Sequence, residues 1–497
     1  MSSRKTIVTE KPILGVVDYD AESSNLISSQ CSVSVPINVD LKRGLFVKIG
    51  SGLSYYIAQI VDGPYYSEAK LGSTPKSQYV AELSTFVENG EPRAALSRPT
   101  PGTNVERIDS DEVQRFLGVV GGMRLGSIIT DPRVSVTMDA ATLSRHIGVF
   151  GTTGSGKSNT IQVLMEEASK QGFSVLVFDV EGEYVEMDKP AEMLLDRLAV
   201  FNMEPAGVED LNVYVPNPCF CHRSDAVKFG ITFSHAEKGV FGEVCGLSRM
   251  EELYFLDLIE KVAAVTPETR EITLSAIINR LSTRLKGQTD RPTMPPFIAE
   301  AHTTLYSKLR LMAGQGLIDV NAPGIRMEDV FSRGRVSVVD FSDASDYVRN
   351  IVMADLLDKA FRYKIAHPDT PPLLIVLEEA HAFISKEKKD RMLATLMLII
   401  ETARRGRKRG LSLGIVTQQP AHLPPELLEL CNTRIIHRLS STVNIDVLKD
   451  STGNVPEGLW NTAPSLGQGE TILSSHKYTR ALSVLIRPTS SKRIATE

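Results

Sequence analysis

The chain has 497 residues, 42% hydrophobic and 23% charged, enough to bury a sizeable core and to divide into two or three domains. A formal charge of -5 and a pI near 6.1 exclude a wholly basic nucleic-acid coat, though not a local basic surface such as a channel lined by repeated copies of one loop. The five cysteines, Cys31, Cys219, Cys221, Cys245 and Cys431, are odd in number and scattered, which argues against a disulfide framework and for a reducing compartment.

The amino terminus, M-S-S-R-K-T-I-V-T-E-K, lacks the long apolar segment that secretion needs. No later run approaches the ~20 apolar residues that span a bilayer. The longest lie near Leu393 to Ile400 and Leu373 to Leu377. The expectation is a cytoplasmic protein with no membrane partner.

Up to about residue 95 the chain consists of short β-branched or alternating runs between turn residues: Ile13 to Val17, Cys31 to Val35, Leu45 to Ile49, Tyr55 to Ile60 and Tyr79 to Leu83. This spacing predicts a small β-barrel over 1–95. Residues 96–143 read as a linker, with a Pro/Gly-containing stretch at Asn89 to Thr103. From Ser144 apolar strands alternate with amphipathic helices. Strands are expected at Ile147 to Phe150, Val175 to Val180, Val336 to Phe341, Leu373 to Leu377, Leu411 to Thr417 and Ile435 to Leu439. Their continuous apolar character fits an α/β core with a parallel sheet covered on both faces, over 144–201 and 325–480. Between them, 202–324 reads as a helical insertion, with helical periodicity at Met250 to Val265 and Thr273 to Leu285, and a further loop at Asp290 to Pro296. Residues 481–497 remain as a C-terminal strand or tail.

The first functional motif is Gly151-Thr152-Thr153-Gly154-Ser155-Gly156-Lys157-Ser158, a phosphate-binding loop between an apolar strand and the helical stretch that begins at Asn159. Its glycines let backbone N–H groups turn inward around an anion. Lys157 reaches the β- and γ-phosphates of a nucleotide, the Ser158 hydroxyl can hold Mg2+ at the start of a helix whose dipole favours negative charge, and Asn159 counts with residues 151–158 in the nucleotide-binding set. The next strand ends in Asp179-Val180-Glu181-Gly182-Glu183-Tyr184. Asp179 stands on the sheet edge where ligands of open α/β folds collect, which suits the magnesium or water network. Glu183 reads equally as a member of that network or as a loop residue. The cluster Cys219-Phe220-Cys221-His222 hints at a metal, but no second pair completes four ligands, so buried thiols are expected.

Further along, Leu373-Leu374-Ile375-Val376-Leu377 runs into Glu378-Glu379-Ala380-His381. A carboxylate at a strand's end beside a phosphate loop can order magnesium, and the next can orient and deprotonate the attacking water. Glu378 takes the metal-side role and Glu379 the catalytic one. The segment Arg404-Arg405-Gly406-Arg407-Lys408-Arg409 carries five cations in six positions. It reads as an arginine supplied to a neighbouring subunit's phosphoryl group, or as a basic loop meeting solvent or nucleic acid. After the strand Leu411 to Val416, Thr417-Gln418-Gln419-Pro420 offers an amide able to touch both γ-phosphate and attacking water.

This ordered set, together with Leu143 to Phe150 before the loop and Cys431-Asn432-Thr433 before a last core strand, resembles the HerA-type hexameric DNA translocases and helicases of the FtsK/HerA branch of P-loop ATPases. The resemblance implies a RecA-like core and ATP and Mg2+ as cofactors. It implies that Lys157 and Ser158 hold phosphate and metal, with Glu379 as catalytic carboxylate and Gln418 as sensor. Arg404, with Arg407 as the competing choice, becomes the finger reaching the next subunit, and Arg145 a second residue across that interface. It also implies a homohexamer on double-stranded DNA, with the β-barrel docking a NurA-type nuclease in DNA end resection and repair. Relatives in anti-phage defence complexes, and conjugative or type IV secretion ATPases that share the core, are the alternatives. Two departures bear on subfamily: Glu378 stands where many relatives have Asp, and Asp179-Val180-Glu181 lacks the Pro-His often found there. A regulatory GTPase would want an N-K-x-D motif, which is absent, and a non-catalytic scaffold would have lost Lys157 or Glu379. DNA-gripping residues are less legible, with Arg280, Arg284 and Lys286 as candidates.

Overall fold

The computed structural model describes residues 13–19, 26–27, 29–66, 75–236, 238–266, 271–286, 296–384, 393–453 and 455–494. The first twelve residues and most of the expected loop Asp290 to Pro296 lie outside them, as do the side chains of Arg284 and Lys286.

Alternating burial along the amino-terminal strands rolls them into a closed barrel. β1 (Ile13–Val17), β2 (Gln30–Pro36), β3 (Phe46–Ser51), β4 (Ser54–Tyr66), β5 (Lys76–Glu88) and β7 (Asn104–Arg107) pair in the order β2-β1-β7-β3-β4-β5, and β5 closes back on β2. The short β6 (Glu91–Arg93) extends β5 as a hairpin. One face of each strand points inward, so Cys31, Val33, Val47, Ile49, Ile60, Tyr79, Ala81 and Val105 form a core of their own. The expected linker 96–143 is corrected here: β7 lies within it and is the strand that closes the barrel against β1 and β3. The rest of it holds α1 (Ser110–Leu117), β8 (Met123–Ile128) and β9 (Ser135–Met138). Phe46, Ile57 and Val87 of the barrel pack with Val113, Leu117 and Leu125 of this segment, fastening barrel to core.

The core is a sheet that orders β13-β12-β14-β11-β15-β16-β10-β17-β18-β19-β8-β9. Its parallel strands are β10 (Ile147–Phe150), β11 (Ser174–Asp179), β12 (Leu211–Pro216), β13 (Val227–Phe229), β14 (Val336–Asp340), β15 (Leu373–Leu377), β16 (Leu411–Thr417) and β17 (Thr433–Ile436). β10, β14, β15 and β16 are buried along their whole length, as strands covered on both faces must be. β18 (Glu470–Ser475), β19 (Leu482–Ile486), β8 and β9 then extend one side antiparallel. One more boundary is therefore corrected: residues 211–216 and 227–229 belong to the core sheet rather than to the insertion. The C-terminal strand or tail contributes residues 482–486 to that sheet.

α2 (Lys157–Lys170) follows β10, and α3 (Leu195–Val200) follows β11. The insertion proper comprises α4 (Lys238–Val244), α5 (Arg249–Ala263), α6 (Leu274–Lys286) and α7 (Pro296–Gly314). The sequence Ser248-Arg249-Met250-Glu251 makes a capping box that starts α5. Glu251 also takes an ion pair at 2.7 Å from Lys308, tying α5 to α7. α8 (Met327–Val330) returns the chain to β14, α9 (Asp346–Ala366) joins β14 to β15, α10 (Leu393–Gly406) leads into β16, and α11 (Pro425–Leu430) precedes β17. Among the described residues no helix is long and apolar enough to cross a membrane.

Candidate functional site

Strand register divides the candidate residues between two edges of the sheet. Phe150 pairs with Thr417 and Ile436, Asp179 with Asp340, and Phe178 with Leu377. The phosphate loop, Gln418, Glu378 and Asp179 therefore all lie at the carboxyl edge, where open α/β sheets bind ligands. At the other edge Ile147 pairs with Thr433, and Leu373 with Leu411. Arg145 and the Arg404–Arg409 segment stand there, before β10 and β16.

Residues 151–158 turn tightly around backbone contacts. A Cβ on Gly151 would sit 2.6 Å from His437 Cβ and 2.7 Å from Ser155 Oγ. Gly156 has φ +111° and faces Gly469 N at 3.2 Å, so neither position tolerates a side chain. Thr152 O accepts from Ser155 Oγ at 2.6 Å and from Lys157 Nζ at 3.2 Å. Lys157 is largely buried, and this holds its ammonium below the usual lysine range, while the carboxylates of Glu379, Glu378 and Glu183 pull the other way. Ser158, half-buried in the first turn of α2, has no protein hydrogen-bond partner for its hydroxyl among the described residues, so it can give that oxygen to a cation.

Thr153, Gln418 and Glu379 form one chain of hydrogen bonds. Thr153 Oγ1 donates to Gln418 Oε1 at 2.7 Å, and Gln418 Nε2 donates to Glu379 Oε1 at 3.3 Å. His381 Nδ1 lies 3.2 Å from Glu379 Oε2 and 3.1 Å from Thr417 Oγ1. Glu379 adopts φ +45°, a left-handed conformation that a non-glycine residue holds only when its surroundings enforce it. The carboxylate expected to act on water is thus linked to the loop expected to hold phosphate through the amide expected to sense it.

Asp179 and Glu378, expected on the magnesium and water side of the site, both bond to the 180–184 turn. Asp179 is wholly buried and accepts from the backbone N–H groups of Gly182, Glu183 and Tyr184 at 2.8, 3.1 and 2.9 Å. Glu378 accepts from Tyr184 OH at 2.7 Å and Val180 N at 3.2 Å, and the two acids bond to each other. Burial raises both; the Asp340 carboxylate adds to it at Asp179, which reaches about 7, and the Asp179 carboxylate adds to it at Glu378, which lies well above its ordinary value. The pair fixes the 180–184 turn, and both oxygens of each carboxyl accept hydrogen bonds from it. Among the described residues no group of three or more His, Cys, Asp or Glu side chains gathers to hold a metal, and Cys219 and Cys221 are free thiols. Glu183 ends in a loop, 3.9 Å from Arg493.

Asn159, expected to touch nucleotide, bonds its carboxamide to the C-terminal segment. It donates to Arg487 O at 2.8 Å and accepts from Thr489 N at 3.1 Å. Gln162 and Glu166, on the same face of α2, continue this zipper to Ser491. Arg487 is fully buried, with Glu166 and Glu167 each 2.8 Å away.

At the amino edge, the Arg-His pair before the loop splits in role. His146 is buried, donates from Nε2 to Ala403 O at 2.7 Å and accepts at Nδ1 from Leu413 N at 2.9 Å, which locks the end of α10 onto β16. Arg145 and Arg407 gather near His476, whose imidazole they and burial hold below its ordinary value. Arg405 pairs with Glu401, and with Arg409 covers Phe361. Arg404, Arg407 and Lys408 are exposed, with no acidic partner among the described residues. Arg280 is exposed on α6.

One residue escapes the sequence reading. His437, just past β17, is buried beneath the phosphate loop, with Nδ1 3.0 Å from Ser155 O and Nε2 2.9 Å from Thr160 Oγ1. Burial first, and the Lys157 charge nearby, push its pKa down to about 3, so it stays neutral and props the loop. Its position after an apolar strand ending at the carboxyl edge was the available signal.

Residues 123–360 match the family described as "Helicase HerA, central domain". The chain is 27% identical over 383 residues to the "DNA double-strand break repair helicase HerA" of Saccharolobus solfataricus, covering 76% of this chain and 70% of that one. Its fold is similar to that of VirB4 of Thermoanaerobacter pseudethanolicus, with a TM-score of 0.52 and 13% identity over 74% of this chain and 96% of that one. It is also similar to the plasmid coupling protein TrwB in complex with ADP and Mg2+, with a TM-score of 0.51 and 12% identity over 78% and 93%. With a phosphate loop at the carboxyl edge of a RecA-like core and the match over residues 123–360, the chain is similar to the HerA-type P-loop ATPases, and it is an ATPase.

Proposed function

We propose that the chain is the motor subunit of a homohexameric ring that hydrolyses ATP at its subunit interfaces to translocate along and unwind double-stranded DNA. The observation that carries this reading is the division of the site between two sheet edges. Lys157, Ser158, Glu379 and Gln418 stand at the carboxyl edge, while Arg145, Arg404 and Arg407 stand at the amino edge. The seven residues of β16 separate Arg409 from Gln418, roughly 20 Å at the rise of a strand. No arginine of that cluster can reach its own chain's γ-phosphate, so each chain holds two half-sites that complete one another between copies.

In this reading the loop amides and Lys157 bind the phosphates, and Ser158 and the phosphate oxygens hold Mg2+, with Glu378 acting through water. Glu379 orients and deprotonates the attacking water. Gln418, bonded to both Thr153 and Glu379, reports the γ-phosphate to the loop. Arg404 or Arg407 stabilises charge from the next subunit, with Arg145 beside it. Grip on DNA is mainly to phosphates, hence salt-dependent and nearly independent of sequence, with Arg280 among the contributors. The barrel docks a NurA-type nuclease, and the assembly works in DNA end resection in the cytoplasm. The name of the S. solfataricus relative supports the repair setting.

The test is ATP turnover with and without duplex DNA. Wild-type hydrolysis should rise on adding DNA, and Lys157→Ala and Glu379→Gln should each lower it by at least 100-fold. Light scattering with ATP and DNA should give a particle of six chains. Unchanged turnover in both variants sinks the site, and a monomer sinks the ring.

A further inference from the structure

We infer that Arg438 is a second cation of the nucleotide site, supplied by the same chain and placed to bind the terminal phosphates beside Lys157, an inference that rests on the ATPase reading of the phosphate loop. Arg438 follows β17, which lies beside β10 on the flank away from β16 and Gln418. Its backbone is built into the loop. Arg438 O accepts from Thr152 N at 2.9 Å and from Thr152 Oγ1 at 3.1 Å, and Thr152 O accepts from Lys157 Nζ at 3.2 Å. A single loop residue thus stands between the Lys157 ammonium and the Arg438 backbone, a gap that an arginine side chain can span. The Thr152 amide, already bonded, is not free to turn toward an anion, so this part of the loop holds an arginine where it would otherwise hold phosphate.

The segment around Arg438 is pinned on both sides. His437 bonds to Ser155 O and Thr160 Oγ1 beneath the loop, and Asn444, in the first turn of α12 (Thr442–Ser451), accepts from Ala421 N at 3.2 Å, just past Gln418. The side chain of Arg438 remains unengaged. It is exposed, with no acidic partner among the described residues. Arg223 and Arg349, at the same edge, are committed elsewhere: Arg223 is held by Asp188 and Asp225, and Arg349 donates to Phe341 O at 3.0 Å. A triphosphate brings several negative charges to an edge that already carries Glu378 and Glu379, and burial weakens Lys157 as a cation. A guanidinium keeps its charge there and grips two phosphate oxygens at once.

Two experiments on the full chain test the assignment. Arg438→Ala removes exposed side-chain atoms, so its melting temperature should match wild type. Its binding of ATP and of inorganic tripolyphosphate should weaken together, each by at least tenfold, and Arg438→Lys, which keeps the charge but not the fork, should fall between. ATP binding equal to wild type overturns the inference, as does a lowered melting temperature that Arg438→Lys does not restore. Weaker binding to duplex DNA with ATP binding intact would make Arg438 a DNA contact and overturn it too. In the second experiment, Arg438→Ala subunits are mixed with Glu379→Gln subunits. Every site then lacks one group or the other, so turnover per Arg438→Ala chain should not rise; a rise would place Arg438 on the neighbour's nucleotide and overturn action within the chain. Lys157→Ala separates the two levels of the argument. If it binds tripolyphosphate like wild type, the phosphate-loop reading itself falls, whereas a loss in Lys157→Ala with none in Arg438→Ala removes only this inference.

Discussion

Replacing Arg487 with methionine should be among the most damaging single changes in the core. Its side chain has no exposed surface, and one guanidinium nitrogen sits 2.8 Å from carboxylates of both Glu166 and Glu167. Two further bonds run to the carbonyls of Arg124 and Pro488, at 3.0 and 2.9 Å. Methionine fills much of the volume but takes the shared guanidinium away from two buried carboxylates, a loss of about 3–5 kcal/mol. Glu166 keeps its bonds from Ser491 N and Oγ, and Glu167 keeps Arg124 N and Lys170, so neither acid is stripped bare. Adding Glu166→Gln to Arg487→Met neutralises one uncompensated charge and should recover roughly half of the loss. The assay is the urea midpoint of the core transition for wild type, the singles and the double. A loss below about 1 kcal/mol for Arg487→Met, or no recovery in the double, would refute the claim that this triad pins the C-terminal segment to the phosphate-loop helix.

Mixing Arg404→Ala subunits with Glu379→Gln subunits should restore part of the hydrolysis that either lacks alone, because some interfaces then combine an intact finger with an intact carboxylate. Absence of recovery at every ratio, for Arg404 and for Arg407, would count against action between subunits. His437 predicts a pH dependence. Its folded pKa is depressed from 6.5 to about 3, so its contribution is complete above pH 6.5 and is lost as pH falls toward 3. The slope is about 1.4 kcal/mol per pH unit. The raised Asp179–Glu378 pair slopes the other way, losing stability as pH rises toward 7, so the measurement is the difference between wild type and His437→Asn, in which that pair cancels. A difference constant from pH 7 to 4.5 would show that His437 is not held neutral.

Much of the site was legible because phosphate chemistry demands a local string. Glycines at 151, 154 and 156, then Lys157 and Ser158, can be read without any tertiary contact, since the turn and the helix start are consecutive in the chain. The apolar strands before Glu378 and Gln418 were equally plain, because a strand buried on both faces is apolar throughout. Register was not readable, and register divided a set of motifs between the two edges of the sheet. Where β10 lies between β16 and β17 decides that Gln418 meets Thr153, 265 positions away, and that Arg404 does not. The burial of the acid pair was not readable either: an acidic residue after an apolar strand carries no local sign that the turn at 180–184 and Tyr184 fold over Glu378 and bond its oxygens.

The sequence by itself determined the nucleotide chemistry and the kind of core, through short-range constraints that each residue carries with it. Tertiary structure alone decided three things: that residues 96–143 close the barrel and widen the sheet, that a polar stripe on α2 is buried by the chain's last residues, and that His437 supports the loop. Each depends on a partner more than 80 positions away, and a partner at that distance leaves no periodic trace in the local pattern of apolar and polar residues.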